Sequence, residues 1–279
     1  MKSLSCAVTV MVLSVVLFSG VAHAGAPFIN LEGVGGIAFN PLAYQAATPG
    51  EEGFKVMGID VAKPRIGAFY TNLNDTDIDW TTMGIATTVA KRLEISFGYE
   101  SVAIAAMPRN THKDNVGAKL VLLDENAFGT SWVPAVAVGS VWKKTSFPRS
   151  DGVGNDGFDV YLVATKLVTQ LPLPVLLSGG VLSTQGHVNG VIGFDDKRKE
   201  VFFGNFDVFP VSWLAAGVEY KQGPDYGAYK DADYYDLHAC WFVNKNLTLV
   251  GAYVDGGDRH STKLMGLGGG AVVTAQYAF

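Results

Sequence analysis

The chain has 279 residues, 21 basic against 26 acidic, with a net charge of -5 and 48% hydrophobic residues. That balance excludes the basic surface on which nucleic-acid binding depends. Beyond residue 25 no stretch reaches the roughly 18 uninterrupted apolar residues of a membrane-crossing helix, so the hydrophobicity is spread through short runs.

The N-terminus reads as a secretory signal peptide over residues 1–24. Lys2 supplies the positive region, Ala7 to Val21 the apolar region, and Ala22-His23-Ala24 an A-x-A site for cleavage near Ala24. The apolar run is short for an anchor of about 20 residues. Cys6 lies before that run, so a lipoprotein signal does not fit. Removal of this segment would leave Cys240 as the remaining thiol, which excludes an intramolecular disulfide and suits a small core hydrophobe.

Residues 25–63 form an irregular N-terminal segment. Gly33, Gly35, Gly36 and Pro41 crowd the run Asn30 to Tyr44, which weakens both helix and central strand. A floppy periplasmic leader is disfavoured, because Phe28, Ile29, Leu31, Val34, Ile37, Phe39, Leu42 and Tyr44 are too apolar for a solvated tail. Irregular backbone at membrane depth is tolerated where protein surrounds it, so the expectation is a plug or lining inside a barrel. The run N-L-E-G-V-G-G-I-A-F-N-P resembles the opening of an uncharacterised proteobacterial family of outer-membrane barrels, N-L-E-G-x-G-G-x-A-x-N-P. That resemblance implies the fold, extends along most of the chain, and implies no activity.

The barrel is expected over 64–279. Period-two patterning places twelve strands at 65–72, 79–89, 93–104, 115–123, 131–142, 158–168, 174–185, 199–208, 212–221, 233–243, 246–255 and 271–279. The class is all-β, a transmembrane antiparallel barrel, and an even strand number returns both ends to one side. Short connections alternate with longer ones, as periplasmic turns and extracellular loops require, with 124–130 slightly outlasting 73–78.

Facing follows from alternation. Leu93, Ile95, Phe97 and Tyr99 should meet lipid while Glu94, Ser96, Gly98 and Glu100 point inward. Val116, Ala118, Leu120 and Leu122 should face out and Lys119 in. Leu214, Ala216, Val218 and Tyr220 should face out, leaving Gly217, Glu219 and Lys221 inside. Tyr235, Leu237, Ala239 and Trp241 should face out, opposite Asp236, His238 and Cys240. Strand 158–168 is ambiguous. Trp132 and Trp142 share a face ten residues apart, about 33 Å along a strand and roughly 25 Å along the normal at a tilt of about 40°, so they would mark the two interfaces.

Residues 271–279, A-V-V-T-A-Q-Y-A-F, alternate again and end on an aromatic ring. Val273-x-Ala275-x-Tyr277-x-Phe279 resembles the C-terminal signal of bacterial outer-membrane barrels. That resemblance implies recognition of Tyr277 and Phe279 by the barrel assembly machinery. It also implies residence among the lipid and lipopolysaccharide of a Gram-negative outer membrane.

Catalytic patterns are sparse. His112, His187, His238 and His260 fall in no metal-ligand spacing, and no cofactor motif is present. Asp258, His260 and Ser261 share the last long loop without a nucleophile elbow, so they read as a solvated polar loop. Asp75, Asp77 and Asp79 begin a calcium-loop pattern, but Trp80 and Ala86 occupy the positions that need glycine and glutamate. Weak cation binding there stays open. The chemistry-bearing set is Glu94, Glu100, Lys119, Glu219, Lys221, Asp236 and His238. Either these residues pair with one another or with the N-terminal segment, or they line a binding path for a small solute. Both signs are present, so neither strong anion nor strong cation selectivity is expected. The leading expectation is a channel or transporter for a small polar solute, gated by 25–63. An outer-rim hydrolase and a structural or secretion accessory are the alternatives.

Overall fold

The computed structural model describes residues 28–48, 53–105, 109–146, 154–227, 229–257 and 264–279. The signal-peptide residues 1–24 and the trio Asp258, His260 and Ser261 lie outside the described residues. After an irregular stretch, β1 (Phe54–Val56) and β2 (Ile59–Val61) form a hairpin that meets the barrel sheet through the pair Val61 and Val89. The barrel strands follow. They are β3 (Arg65–Leu73), β4 (Ile78–Val89), β5 (Leu93–Ile104), β6 (Thr111–Leu123), β7 (Ala135–Thr145) and β8 (Asp156–Val168). Next come β9 (Val175–Gly186), β10 (Phe194–Val211) and β11 (Leu214–Lys221). A two-residue β12 (Lys230–Asp231) leads to β13 (Tyr234–Phe242) and β14 (Leu247–Asp255). Another short piece, β15 (Leu264–Met265), pairs with β12 before the final β16 (Gly269–Ala278).

The ring closes. β16 pairs antiparallel with both β14 and β3, and β4 pairs with both β3 and β5. The result is a closed antiparallel barrel of 12 strands with no free edge among them, the arrangement that satisfies every ladder group in lipid. Side chains alternate around it. Ile95, Phe97, Val116, Leu120, Leu162, Phe202, Val218, Leu237, Trp241 and Val273 are exposed on the outer face. Their neighbours in sequence are buried inside, with Phe242 beside Trp241 partly buried.

Three expectations need correction. The strand expected to begin at 131 begins at Ala135, because Pro134 lacks the N–H that a ladder needs. Trp132 therefore sits in the turn, 82% exposed, and the strand-length argument from Trp132 to Trp142 does not hold. The connection 124–134 is correspondingly long, and it tightens through Asn126 and Phe128, both at φ 60. Last, the loop expected over 186–198 is shorter: β10 starts at Phe194, and His187–Gly190 forms a 3-10 turn that buries His187 and Val188.

The interior contains more than polar side chains. Val34 and Ala43 pack with Ala137, Val141, Tyr161, Val163, Leu182 and Phe203 from the wall. Phe28, Ile37 and Leu42 pack with Leu176, Ala215, Cys240 and Val250. This explains the ambiguity of strand 158–168. The middle of its inner face, Tyr161 and Val163, is apolar because it meets the inner segment there, while Asp159 and Thr165 on the same face are polar.

Cysteines replacing Ala68 and Ala275 test the closure. These residues face each other across β3 and β16, both on the outer side, with Cβ atoms about 5 Å apart for such pairs. In detergent-purified protein a short bis-maleimide, which adds both thiols as thioethers, is expected to link them within one chain. An open sheet would leave both thiols free, as read by gel mobility and mass.

Candidate functional site

Residues 28–48 lie within the ring, and their backbone is bonded to the wall. Ile29 N–H donates to Gln276 Oε1 at 2.7 Å, and Gln276 Nε2 returns a bond to the Ile29 carbonyl at 3.1 Å. Gly35 N–H and Ala46 N–H donate to the two oxygens of Glu94 at 2.8 and 2.6 Å. Lys119, 3.2 Å from Glu94, donates to the carbonyls of Gly35 and Tyr44 at 3.0 and 2.7 Å. Ala43 N–H donates to Thr165 Oγ1 at 2.8 Å. Turns within the segment pair part of its backbone, as with Leu31 N–H to the Ala38 carbonyl and Leu42 N–H to the Gly35 carbonyl, and the wall side chains answer amides that these turns leave over.

Glu219 holds the far turn. Its Oε2 accepts Ala38 N–H at 3.1 Å and Phe39 N–H at 2.9 Å, and its Oε1 accepts Asn205 Nδ2. Beside it, His238 lies between two acids, with Nδ1 2.7 Å from Asp236 Oδ1 and Nε2 2.7 Å from Asp207 Oδ1.

The densest charge cluster forms around Glu32 of the inner segment. Its Oε1 meets Lys143 Nζ, Asn189 Nδ2 at 2.8 Å and Lys113 Nζ at 3.5 Å. Lys113 also pairs with Glu100 at 2.9 Å, and Lys143 with Asp159 at 2.6 Å. Lys221 Nζ donates to Asn189 Oδ1 at 2.8 Å. Glu100 is steadied by Asn115 Nδ2 at 2.7 Å and Trp80 Nε1 at 3.0 Å. Charges removed from water in this way are tolerated only when paired and hydrogen-bonded.

All seven residues singled out from sequence, Glu94, Glu100, Lys119, Glu219, Lys221, Asp236 and His238, are inside, each 7% exposed or less. They fall into the three clusters just described. Glu94 and Glu219 bond directly to the inner segment, as does Lys119, while Glu100, Lys221, Asp236 and His238 brace neighbouring groups. Sequence reading missed Glu32, Lys113, Lys143, Asp159, Asn189 and Asp207. Lys113 and Lys143 share the inward parity of Lys119 and Trp142's neighbours, but each lies just outside the strand limits drawn from sequence. Asp75 and Asp79 are engaged structurally. Asp75 accepts Gly269 N–H at 2.9 Å, and Asp79 accepts Tyr70 and Asn72 at 2.7 and 2.8 Å.

Two glycines let the segment approach. Gly84 and Gly98 face each other across β4 and β5. Gly33, at φ 85, enters the dent they leave. A Cβ on Gly98 would strike the Glu32 carbonyl, and one on Gly84 would lie 2.8 Å from Gly33 Cα. A cavity of about 80 Å³, lined by Leu31, Phe39, Trp80, Asn189, Lys221 and Tyr234, has room for two or three waters at about 30 Å³ each.

From the long-loop side the turn at 187–190 covers the clusters. Val188 N–H donates to Asp231 Oδ2 at 2.6 Å, and the His187 ring lies 4.4 Å from that of Tyr226. Burial pushes the Asp231 carboxyl from its ordinary 3.8 up to about 7, with the Val188 amide and Lys221 pulling partly the other way.

Closed antiparallel strands, an apolar outer face and an interior filled by the inner segment and paired charges define a membrane-type β-barrel. The KdgM porin has a similar fold, with a TM-score of 0.52 at 15% identity, covering 77% of this chain and 99% of its own. The NanC porin is similar at TM-score 0.49 and 10% identity, over 77% of this chain and 98% of its own. Omp33, an outer membrane protein of Acinetobacter baumannii, follows at 0.44 and 9%, over 78% and 98%. Comparison with curated protein sequences gives no match. Residues 28–263 match the family described as protein of unknown function (DUF3034). The chain belongs to that family.

Two outcomes follow from this geometry. Gly98→Val places a side chain against the Glu32 backbone, an overpacking that costs about 1–3 kcal/mol. Cleavage of 28–48 by added protease is expected to accelerate by about tenfold or more while the barrel stays folded on gels. Unchanged cleavage would remove the contact. For Asp231, the folded state binds the proton more tightly than the unfolded one. Its contribution to stability is therefore full below about pH 4 and is lost as pH rises through about 7. Asp231→Asn, which keeps an acceptor for Val188, is expected to gain in unfolding temperature over the parent as pH rises from 4 to 7. A difference independent of pH would contradict this.

Proposed function

We propose that the protein is an outer-membrane channel for a small polar solute, closed by its own residues 28–48 acting as a plug. One observation carries the reading: Glu94, Lys119, Glu219 and Lys143 of the wall bond directly to the inner segment, and a cavity of about 80 Å³ lies beside it. A structural barrel with no traffic could fill its interior more cheaply with apolar side chains. Pairing buried ions is often no better for stability than packing hydrophobic groups of similar volume. A barrel wall that keeps both signs of charge retains a surface that water and polar solutes can wet once the segment leaves.

Such a channel needs delivery and insertion. In this reading residues 1–24 direct export with cleavage near Ala24, Tyr277 and Phe279 engage the assembly machinery, and the outer face meets lipid and lipopolysaccharide. The paired rings of Tyr277 and Phe279, 5.1 Å apart and 41% and 52% exposed, present an aromatic end suited to the membrane interface.

Planar-bilayer recording tests the reading. The full chain is expected to show little conductance, and a variant lacking 28–48 steps of much larger size. Absence of current from both would defeat the channel and leave only the barrel.

A further inference from the structure

The Glu32 cluster has a charge balance that singles it out. The wall contributes three ammonium groups, Lys113, Lys143 and Lys221, and two carboxylates paired with them, Glu100 and Asp159. Glu32 supplies the third negative charge, and it comes from the removable segment. Asp231 is engaged from the covering turn, accepting Val188 N–H at 2.6 Å. Withdrawal of the segment would leave an excess positive charge on the wall. It would also free the donors that now meet one carboxylate oxygen: Lys143 Nζ, Lys113 Nζ and Asn189 Nδ2.

Those donors are positioned independently of Glu32. Lys113 Nζ also donates to the Asn189 carbonyl at 2.7 Å, and Lys143 and Lys221 both donate to Asn189 Oδ1, at 3.3 and 2.8 Å. Asn189 itself is fixed by the turn at 187–190, in the left-handed region at φ 59 that asparagine tolerates. The arrangement is a preorganised anion receptor in which the Glu32 side chain stands where a free carboxylate would bind.

We infer that Lys113, Lys143, Lys221 and Asn189 form a binding site for a small organic carboxylate, and that Glu32 occupies it as an internal competitor while the segment is seated. The inference rests on the reading that the segment can leave its seat. It sharpens the solute class without making the whole pore anion-selective, because the wall elsewhere carries Glu94, Asp207, Glu219 and Asp236 against Lys119 and His238. The asymmetry is local to the long-loop half of the interior.

Calorimetric titration of the folded full chain at pH 6 tests this, with D-gluconate as probe and D-glucose as its uncharged control. Tethering gives an internal competitor an effective concentration of millimolar order. Glu32→Gln is therefore expected to bind gluconate at least tenfold more tightly than the parent. Adding Lys143→Gln to Glu32→Gln is expected to abolish that gain, and glucose should bind to neither. If the double variant does not fold, as judged by heat-modifiable gel migration, Lys221→Met in the Glu32→Gln background takes its place. Equal gluconate affinity in the parent and Glu32→Gln, or binding indifferent to both lysine changes, overturns the site. A Glu32→Gln barrel that binds gluconate but carries no current upholds the site and refutes the channel. One that conducts without binding gluconate does the reverse.

Discussion

Irregular backbone inside a membrane barrel must have its polar groups paired, and the amides that its own turns leave over must find partners on the wall. Within residues 28–48 the bridge between Gly36 and Pro41 and a set of turn bonds pair only part of the backbone. Glu94, Lys119, Glu219, Thr165 and Gln276 answer further amides and carbonyls in turn. Each of these side chains is buried, so losing its partner would leave a desolvated polar group at a cost of about 1–3 kcal/mol, more for a charge. The wall and the segment therefore specify each other.

The apolar contacts obey the same constraint. Tyr161, Leu182, Phe203 and Leu176 stand on the inner face of the wall. Against Val34, Ala43, Phe28 and Leu42 they become ordinary core. Gly84 and Gly98 provide the closest approach, where even a methyl group would meet the segment's main chain. The interior is thus half protein core and half charged network, and the network is concentrated where the segment turns.

The barrel was legible from sequence because period-two alternation survives on any strand with lipid outside and polar groups inside. Ile95, Phe97 and Tyr99 against Glu94, Ser96 and Glu100 left no other facing. Where the inner face meets the segment, as at Tyr161 and Val163, alternation fades and so did the reading. Strand ends were the weaker part. Pro134 displaced one start, and Lys113 and Lys143 were missed because pairing continues past the point where hydrophobic alternation stops. Glu32 and Asn189 were beyond reach for a different reason. Their meaning lies in contacts between residues 157 positions apart, and no local pattern encodes that a loop folds inward onto a segment from the other end of the chain.

Amide hydrogen exchange, read residue by residue in the native protein, addresses the central claim most directly. With the segment seated as described, the amides of Gly35, Ala38, Phe39 and Ala46 should exchange slowly despite belonging to no strand, with protection approaching that of β5 and β11. Exchange of those four amides at the rate of exposed loops, while the strands stay protected, would contradict it.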